Sequence, residues 1–211
     1  MVYKLDDVLR DVRVALDRNG VSAPLIEEGD IDTLSLNEVI RSKVVEAARR
    51  IESEAPAHLL EGGHTFGDAV YWADKGCGWV LLPDDFMRLI VFEMSDWERP
   101  VYSALSADDA RFALTHSRYK GLRGTPQRPV CSIVYRPEGR ALEFCSCKDE
   151  TAQVAQGNYL PYPKTDDNGG IDLCERCYTA IVYQTAALVA MTYEETDKGS
   201  ALNELAKSAL I

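Results

Sequence analysis

The stretch Asp172 to Tyr193 constrains this 211-residue chain more than any other, because its second part, Cys177 to Tyr193, runs seventeen residues without a formal charge. Ala180, Ile181, Ala187, Leu188, Val189, Ala190 and Met191 cover nearly the whole circumference of a helical wheel. A helix here has no polar face to turn to solvent and is expected to be buried on most sides. About 17 residues is also the short limit for crossing a bilayer. Thr179, Gln184, Thr185, Thr192 and three tyrosines interrupt the run, however, and Glu194 and Glu195 close it without a basic flank to set an orientation. The expectation is a central core helix and no membrane span.

Amphipathic helices precede and follow it. Leu5, Val8, Leu9, Val12, Ala15 and Leu16 keep the i, i+3, i+4, i+7 rhythm up to Arg18, with Asn19-Gly20 as the stop. Ser35-Leu-Asn-Glu38 fits a capping box, after which Leu36, Val39, Ile40, Val44, Ala47, Ala48 and Ile51 carry a second helical stripe to Ala55-Pro56. Beyond Thr196-Asp-Lys-Gly199, the residues Ala201, Leu202, Leu205, Ala206 and Leu210 mark a short tail helix ending at Ile211.

Between these helices the period becomes extended. Ala69 to Trp72 and Trp79 to Leu82 read as strands around a turn at Gly76 and Gly78, Arg88 to Met94 as another, and Gln127 to Tyr135 with Arg140 to Ser146 as a pair joined at Pro137-Glu-Gly139. Ala152 to Gly170, with Pro161, Pro163, Asn168, Gly169 and Gly170, reads as a long loop. The predicted fold is thus α+β and a single domain over 1–211. It comprises a helical bundle, from two N-terminal helices at 1–60 and the long helix and tail helix at 171–211, with a small antiparallel β insertion at about 68–150 and the loop at 152–170.

With a net charge of −11, the chain is not one that coats nucleic acid over its whole surface. One segment runs against this balance: Arg111, Arg118, Lys120, Arg123, Arg128, Arg136 and Arg140 stand against Glu138 alone. Arg118, Lys120, Arg123 and Arg128 have two candidate partners, DNA phosphates or the acidic Glu27 to Asp32 loop of an adjacent copy. The latter pairing is head-to-tail and generates a ring or filament.

Chemistry is sparse. There is no GxSxG, no phosphate-binding Walker loop and no dinucleotide-binding GxGxxG. His58, His64 and His116 belong to no HxxxH, HxxE or HxD pattern, and Asp84-Asp85 and Asp108-Asp109 sit where helix-start acids are expected. A Cys177 nucleophile at a helix start would need a histidine that no motif supplies. The sequence therefore points to no catalytic residue, no cofactor and a non-enzymatic protein. The N-terminus lacks the basic and apolar regions of a secretory signal, so the six cysteines are expected as thiols in a reducing compartment. Cys145-Ser-Cys147 with Cys174-Glu-Arg-Cys177 could supply four thiolates to zinc, although the first pair has one intervening residue where zinc knuckles have two to four. Buried, apolar cysteines are the simpler expectation, with no metal bound.

Three features together resemble a tailed-phage head-tail connector of the adaptor or neck-ring kind. They are the paired N-terminal helices ending in Val44-Val-Glu-Ala-Ala-Arg-Arg-Ile51; the β segment with Leu81-Leu-Pro-Asp-Asp-Phe-Met-Arg-Leu89; and Thr185-Ala-Ala-Leu-Val-Ala-Met-Thr-Tyr193 followed by Glu194-Glu-Thr-Asp-Lys198 and the tail helix. The resemblance implies a virion neck protein, made in the host cytoplasm and assembled into a ring, usually twelve-fold, below the portal. It also implies that Ala201, Leu202, Leu205, Leu210 and Ile211 dock on the portal. The β insertion and long loops would meet other neck or tail proteins, and double-stranded DNA would pass through without sequence recognition. Cysteine clusters are foreign to the family pattern, and the alternative is a small intracellular zinc-binding interaction or regulatory protein using Cys145, Cys147, Cys174 and Cys177.

Overall fold

A computed structural model describes residues 1–17, 35–60, 63–74, 76–166 and 168–211. In chain order the first elements are strand β1 (Val2–Lys4), helices α1 (Leu5–Ala15) and α2 (Leu36–Glu54), and strands β2 (His64–Thr65), β3 (Tyr71–Asp74), β4 (Cys77–Leu81) and β5 (Phe86–Met94). Then come α3 (Phe112–Thr115), β6 (Cys131–Arg136), β7 (Gly139–Phe144), β8 (Val154–Pro161), β9 (Gly170–Asp172), α4 (Tyr178–Thr192) and α5 (Thr196–Ser208). They divide between two units, Met1–Glu61 with Pro163–Ile211, and Gly62–Tyr162.

In the first unit α4 is the hub, packed by α1, α2 and α5. Ala180, Ile181, Thr185, Ala186 and Ala187 have no measurable exposure, so the uncharged run is buried within its own unit. Its hydroxyls find partners along the helix: Thr185 Oγ1 donates to the Ile181 carbonyl at 2.7 Å and Thr192 Oγ1 to that of Leu188 at 2.8 Å. No helix among the described residues is long and apolar enough to cross a membrane. The Ser35 capping box is present, with the Ser35 N–H donating to Glu38 Oε2 at 2.7 Å, and the Val39 to Ile51 stripe is buried. Each such Val, Leu or Ile side chain contributes about 1.5–3 kcal/mol by leaving water. Gly199 lets α5 approach α4 closely, since a Cβ there would lie 2.8 Å from Met191 Cγ and 3.3 Å from the Ala187 carbonyl oxygen. Leu202 and Ala206 are buried along this contact and Leu205 is open. Antiparallel pairing of β1 with β9 sets Tyr3 opposite Ile171.

The second unit holds two antiparallel sheets, ordered β2-β8-β5 and β3-β4-β7-β6. Side chains from both meet in one core that includes Phe66, Val80, Phe86, Phe92, Trp97, Leu142, Phe144 and Tyr159. Edge-on and offset ring contacts organise it, among them Phe92–Trp97 at 5.7 Å and Trp97–Phe144 at 5.8 Å between centroids. Gly76, at φ +78°, turns β3 into β4, and a Cβ there would collide with the carbonyl oxygen of Cys147.

This architecture overturns the expected helical bundle with a small β insertion. Among the described residues the chain has five helices and nine strands in three antiparallel sheets, and the β-rich part is a unit of its own. The expected loop at 152–170 contains β8, which pairs with both β2 and β5. Gln156, Gly157 and Asn158 hide this strand by breaking its alternation. Gly157 is required there, because a Cβ would run into the Phe66 carbonyl oxygen. The acidic Glu27 to Asp32 segment lies outside the described residues.

Candidate functional site

The register of the four-stranded sheet decides which side chains share a face. Trp79 stands opposite Glu143, and Glu143 opposite Ser132, so Cys77, Trp79, Glu143, Cys145 and Arg136 lie on one side, while Val80, Leu142 and Phe144 enter the core on the other. The segment from α3 to Arg123 covers part of the first side and leaves a pocket of about 240 Å³ whose lining includes Asp74, Cys77, Trp79, Thr115, His116, Arg123, Arg136, Glu143 and Cys145.

A polar chain runs across this pocket. Thr115 Oγ1 lies 2.9 Å from His116 Nδ1, and His116 Nε2 lies 3.2 Å from Glu143 Oε1. The other oxygen of Glu143 accepts from Arg136, whose guanidinium sits 4.3 Å above the Trp79 ring. Tyr71 stacks on Trp79 at 5.8 Å. Glu143 is therefore held between an imidazole and a guanidinium, an arrangement that ties α3 to β6 and β7.

At the other end of the pocket Cys77 and Cys145 are bonded to each other across β4 and β7, their Cα atoms 3.9 Å apart and 68 residues apart in sequence. This departs from the expectation of unpaired thiols. Arg123 points at the pair: its Nη1 is 3.6 Å from Cys77 Sγ and 4.0 Å from Cys145 Sγ, and its buried Nε has no hydrogen-bond acceptor among the described residues.

The four cysteines considered for zinc have other surroundings. Cys145 is committed to Cys77. Cys147 is buried in the aromatic core, where burial first and the nearby Asp96 carboxylate second push its thiol up to about 12. Cys174 and Cys177 belong to the first unit, where Cys177 has no exposure and Cys174 Sγ donates to the Leu59 carbonyl at 3.1 Å. Among the described residues no group of three or more His, Cys, Asp or Glu is arranged to hold a metal ion. Asp85 Oδ1 accepts from the Tyr159 hydroxyl at 2.8 Å, and burial followed by that bond raises Tyr159 to about 12. Asp109 accepts from the Arg111 N–H at 2.8 Å and is lowered mainly by that bond. His58 offers its carbonyl to Arg176 at 3.2 Å, and His64 meets the Tyr159 ring edge-on at 5.8 Å.

The basic island is partly consumed inside the chain. Arg111 pairs with Asp109 at 3.5 Å, Arg136 with Glu143, and Arg140 donates to the Phe86 carbonyl at 2.9 Å. Arg118, stacked 4.9 Å from the Tyr119 ring centre, and Arg128 have no acidic partner among the described residues. The Lys120 side chain lies outside what is described.

Sequence reasoning also passed over Glu52, a carboxylate 2% exposed in the first unit. Its signal is spacing, since Val44, Ala48 and Glu52 are four apart on the buried stripe of α2. Glu52 Oε1 accepts from the Cys174 N–H at 2.8 Å, and burial pushes its pKa to about 7 despite that bond. Compared with protein-family models and with curated proteins, the chain matches none.

Proposed function

We propose that the chain is a non-enzymatic ring subunit of a tailed-phage neck, joining portal to tail around the path of the DNA. The observation that carries this is the character of the side chains left at the surface of the β-rich unit. Tyr135 is 83% exposed on the edge strand β6, and Tyr102, Tyr119 and Leu122 are also open, in the same unit as Arg118 and Arg128, which have no acidic partner among the described residues. Exposed aromatics and arginines are what protein interfaces use as anchors. In a chain of net charge −11, such arginines meet acidic surface on the next copy, and unlike patches pair head-to-tail.

The tail helix supplies a second contact. α5 buries Leu202 and Ala206 but leaves Leu205 open at 48% exposure, and Ile211, three residues beyond the helix, is fully exposed; these form a docking surface for the portal. A net charge of −11 gives DNA phosphates little overall hold, which suits a conduit that must release its cargo. Twelve-fold symmetry is carried by the resemblance alone. Sedimentation of the purified chain alone and mixed with its portal tests the proposal. Ring-sized species that co-sediment with the portal are expected, and a chain that remains monomeric in both samples overturns it.

A further inference from the structure

Two observations in the β-rich unit belong together. The first is the cross-strand pair Cys77–Cys145, in which Cys77 is buried and Cys145 is partly open to the pocket. The second is Arg123, whose guanidinium reaches over both sulfurs and whose buried Nε is left without an acceptor among the described residues. The disulfide beside this guanidinium is neutral, and of the two carboxylates lining the pocket, Asp74 and Glu143, the latter is already taken by Arg136 and His116. Beside a dithiol the position is different. A thiolate is an anion, and a guanidinium within 4 Å stabilises it over the thiol.

We propose that Cys77 and Cys145 form a reversible dithiol–disulfide site opening on this pocket, with Arg123 as the residue that stabilises its reduced form. In the reducing direction, the thiolate of a low-molecular-weight thiol attacks the accessible Cys145 sulfur and breaks the Cys77–Cys145 bond. Cys77 leaves as the thiolate beside Arg123. A second molecule of the small thiol then attacks the mixed disulfide, freeing Cys145 and departing as the oxidised small disulfide. Two electrons pass to the protein pair, and the protons of the two small thiols are left on the protein sulfurs or released to solvent. The assignment is independent of any role in a phage neck.

The test equilibrates the full chain in glutathione buffers of graded reduced-to-oxidised ratio, followed by acid quench, alkylation and mass analysis of the Cys77 and Cys145 peptides. The pair is expected to pass from disulfide to dithiol within the series. In Arg123→Gln, the midpoint is expected to move tenfold or more toward reducing buffer, about 30 mV for a two-electron couple, while Arg123→Lys keeps it near the parent value. A pair that stays in one state throughout, or a midpoint unchanged in Arg123→Gln, overturns the proposal. Should the glutamine variant fail to fold, the rate of alkylation of the reduced parent against pH decides instead. A Cys77 thiolate formed below the ordinary cysteine value of about 8.5 supports the role of Arg123, and one formed above it overturns it.

Discussion

Glu52 in α2 accepts a 2.8 Å hydrogen bond from the backbone N–H of Cys174, at the turn that leads into α4, from a position only 2% exposed. The bond satisfies one of the donors left over where a helix begins, and it ties the second helix to the start of the hub helix. It does so with a group whose charged form is disfavoured by burial.

That conflict gives the first unit a pH-dependent stability. The folded pKa of Glu52 is raised from 4.5 to about 7, so the folded chain holds this proton more tightly than the unfolded one. The resulting stabilisation is complete below about pH 4.5 and disappears as pH rises through about 7, an amount of roughly 3 kcal/mol at about 1.4 kcal/mol per pKa step. Glu52→Gln keeps the acceptor and removes the titration. Urea unfolding at pH 5.5 and pH 8 should show the parent losing stability relative to this variant at the higher pH; a constant difference between the two proteins would contradict the assignment.

Breaking the Cys77–Cys145 bond should loosen the β-rich unit. Closing a loop across a sequence separation of 68 residues restricts the unfolded chain by about 4 kcal/mol on the entropic account. Chemical denaturation with and without a reductant measures this directly. The reduced protein is expected to unfold at lower denaturant, and a Cys77→Ala, Cys145→Ala double variant should show no response to reductant.

Gly157→Ala places a methyl group against the Phe66 carbonyl, where the Phe66 N–H also donates to the Gly157 oxygen at 3.1 Å. Backbone must shift in the middle strand of the β2-β8-β5 sheet, at a cost of about 2 kcal/mol or more. Thermal unfolding followed by tryptophan fluorescence reports it, since Trp97 sits in the adjoining core.

These last two sites show where sequence reading stops. The helices α1, α2 and α5 are legible because a 3.6-residue period and the Ser35 capping box are local signals, and α4 because its seventeen-residue run carries no charge. Strand β8 is not, since Gln156, Gly157 and Asn158 carry no alternation and Pro161 reads as a breaker. In the fold Pro161 is the last residue of β8, where it stands opposite Phe86 of β5. The Cys77–Cys145 pair depends on the register of two strands far apart in the chain. The arginine island misleads in a similar way. Charge counted along the sequence does not show that Arg136 meets Glu143 across the β6–β7 hairpin. Glu52, by contrast, is visible as an acid falling on the buried stripe of α2.

Surface changes should separate folding from assembly. Tyr135→Asp alters a side chain that is 83% exposed, so the melting temperature should stay within experimental error while self-association is lost. Leu205→Asp with Ile211→Asp should leave self-association intact and abolish capture by the portal, read by co-sedimentation.

Negative-stain imaging of the chain with its portal tests the central claim most directly. Closed rings of one rotational symmetry, coaxial with the portal and open along the axis, are the expected result. Portal rings without added density, beside chains that never form closed assemblies at any concentration, would contradict the account.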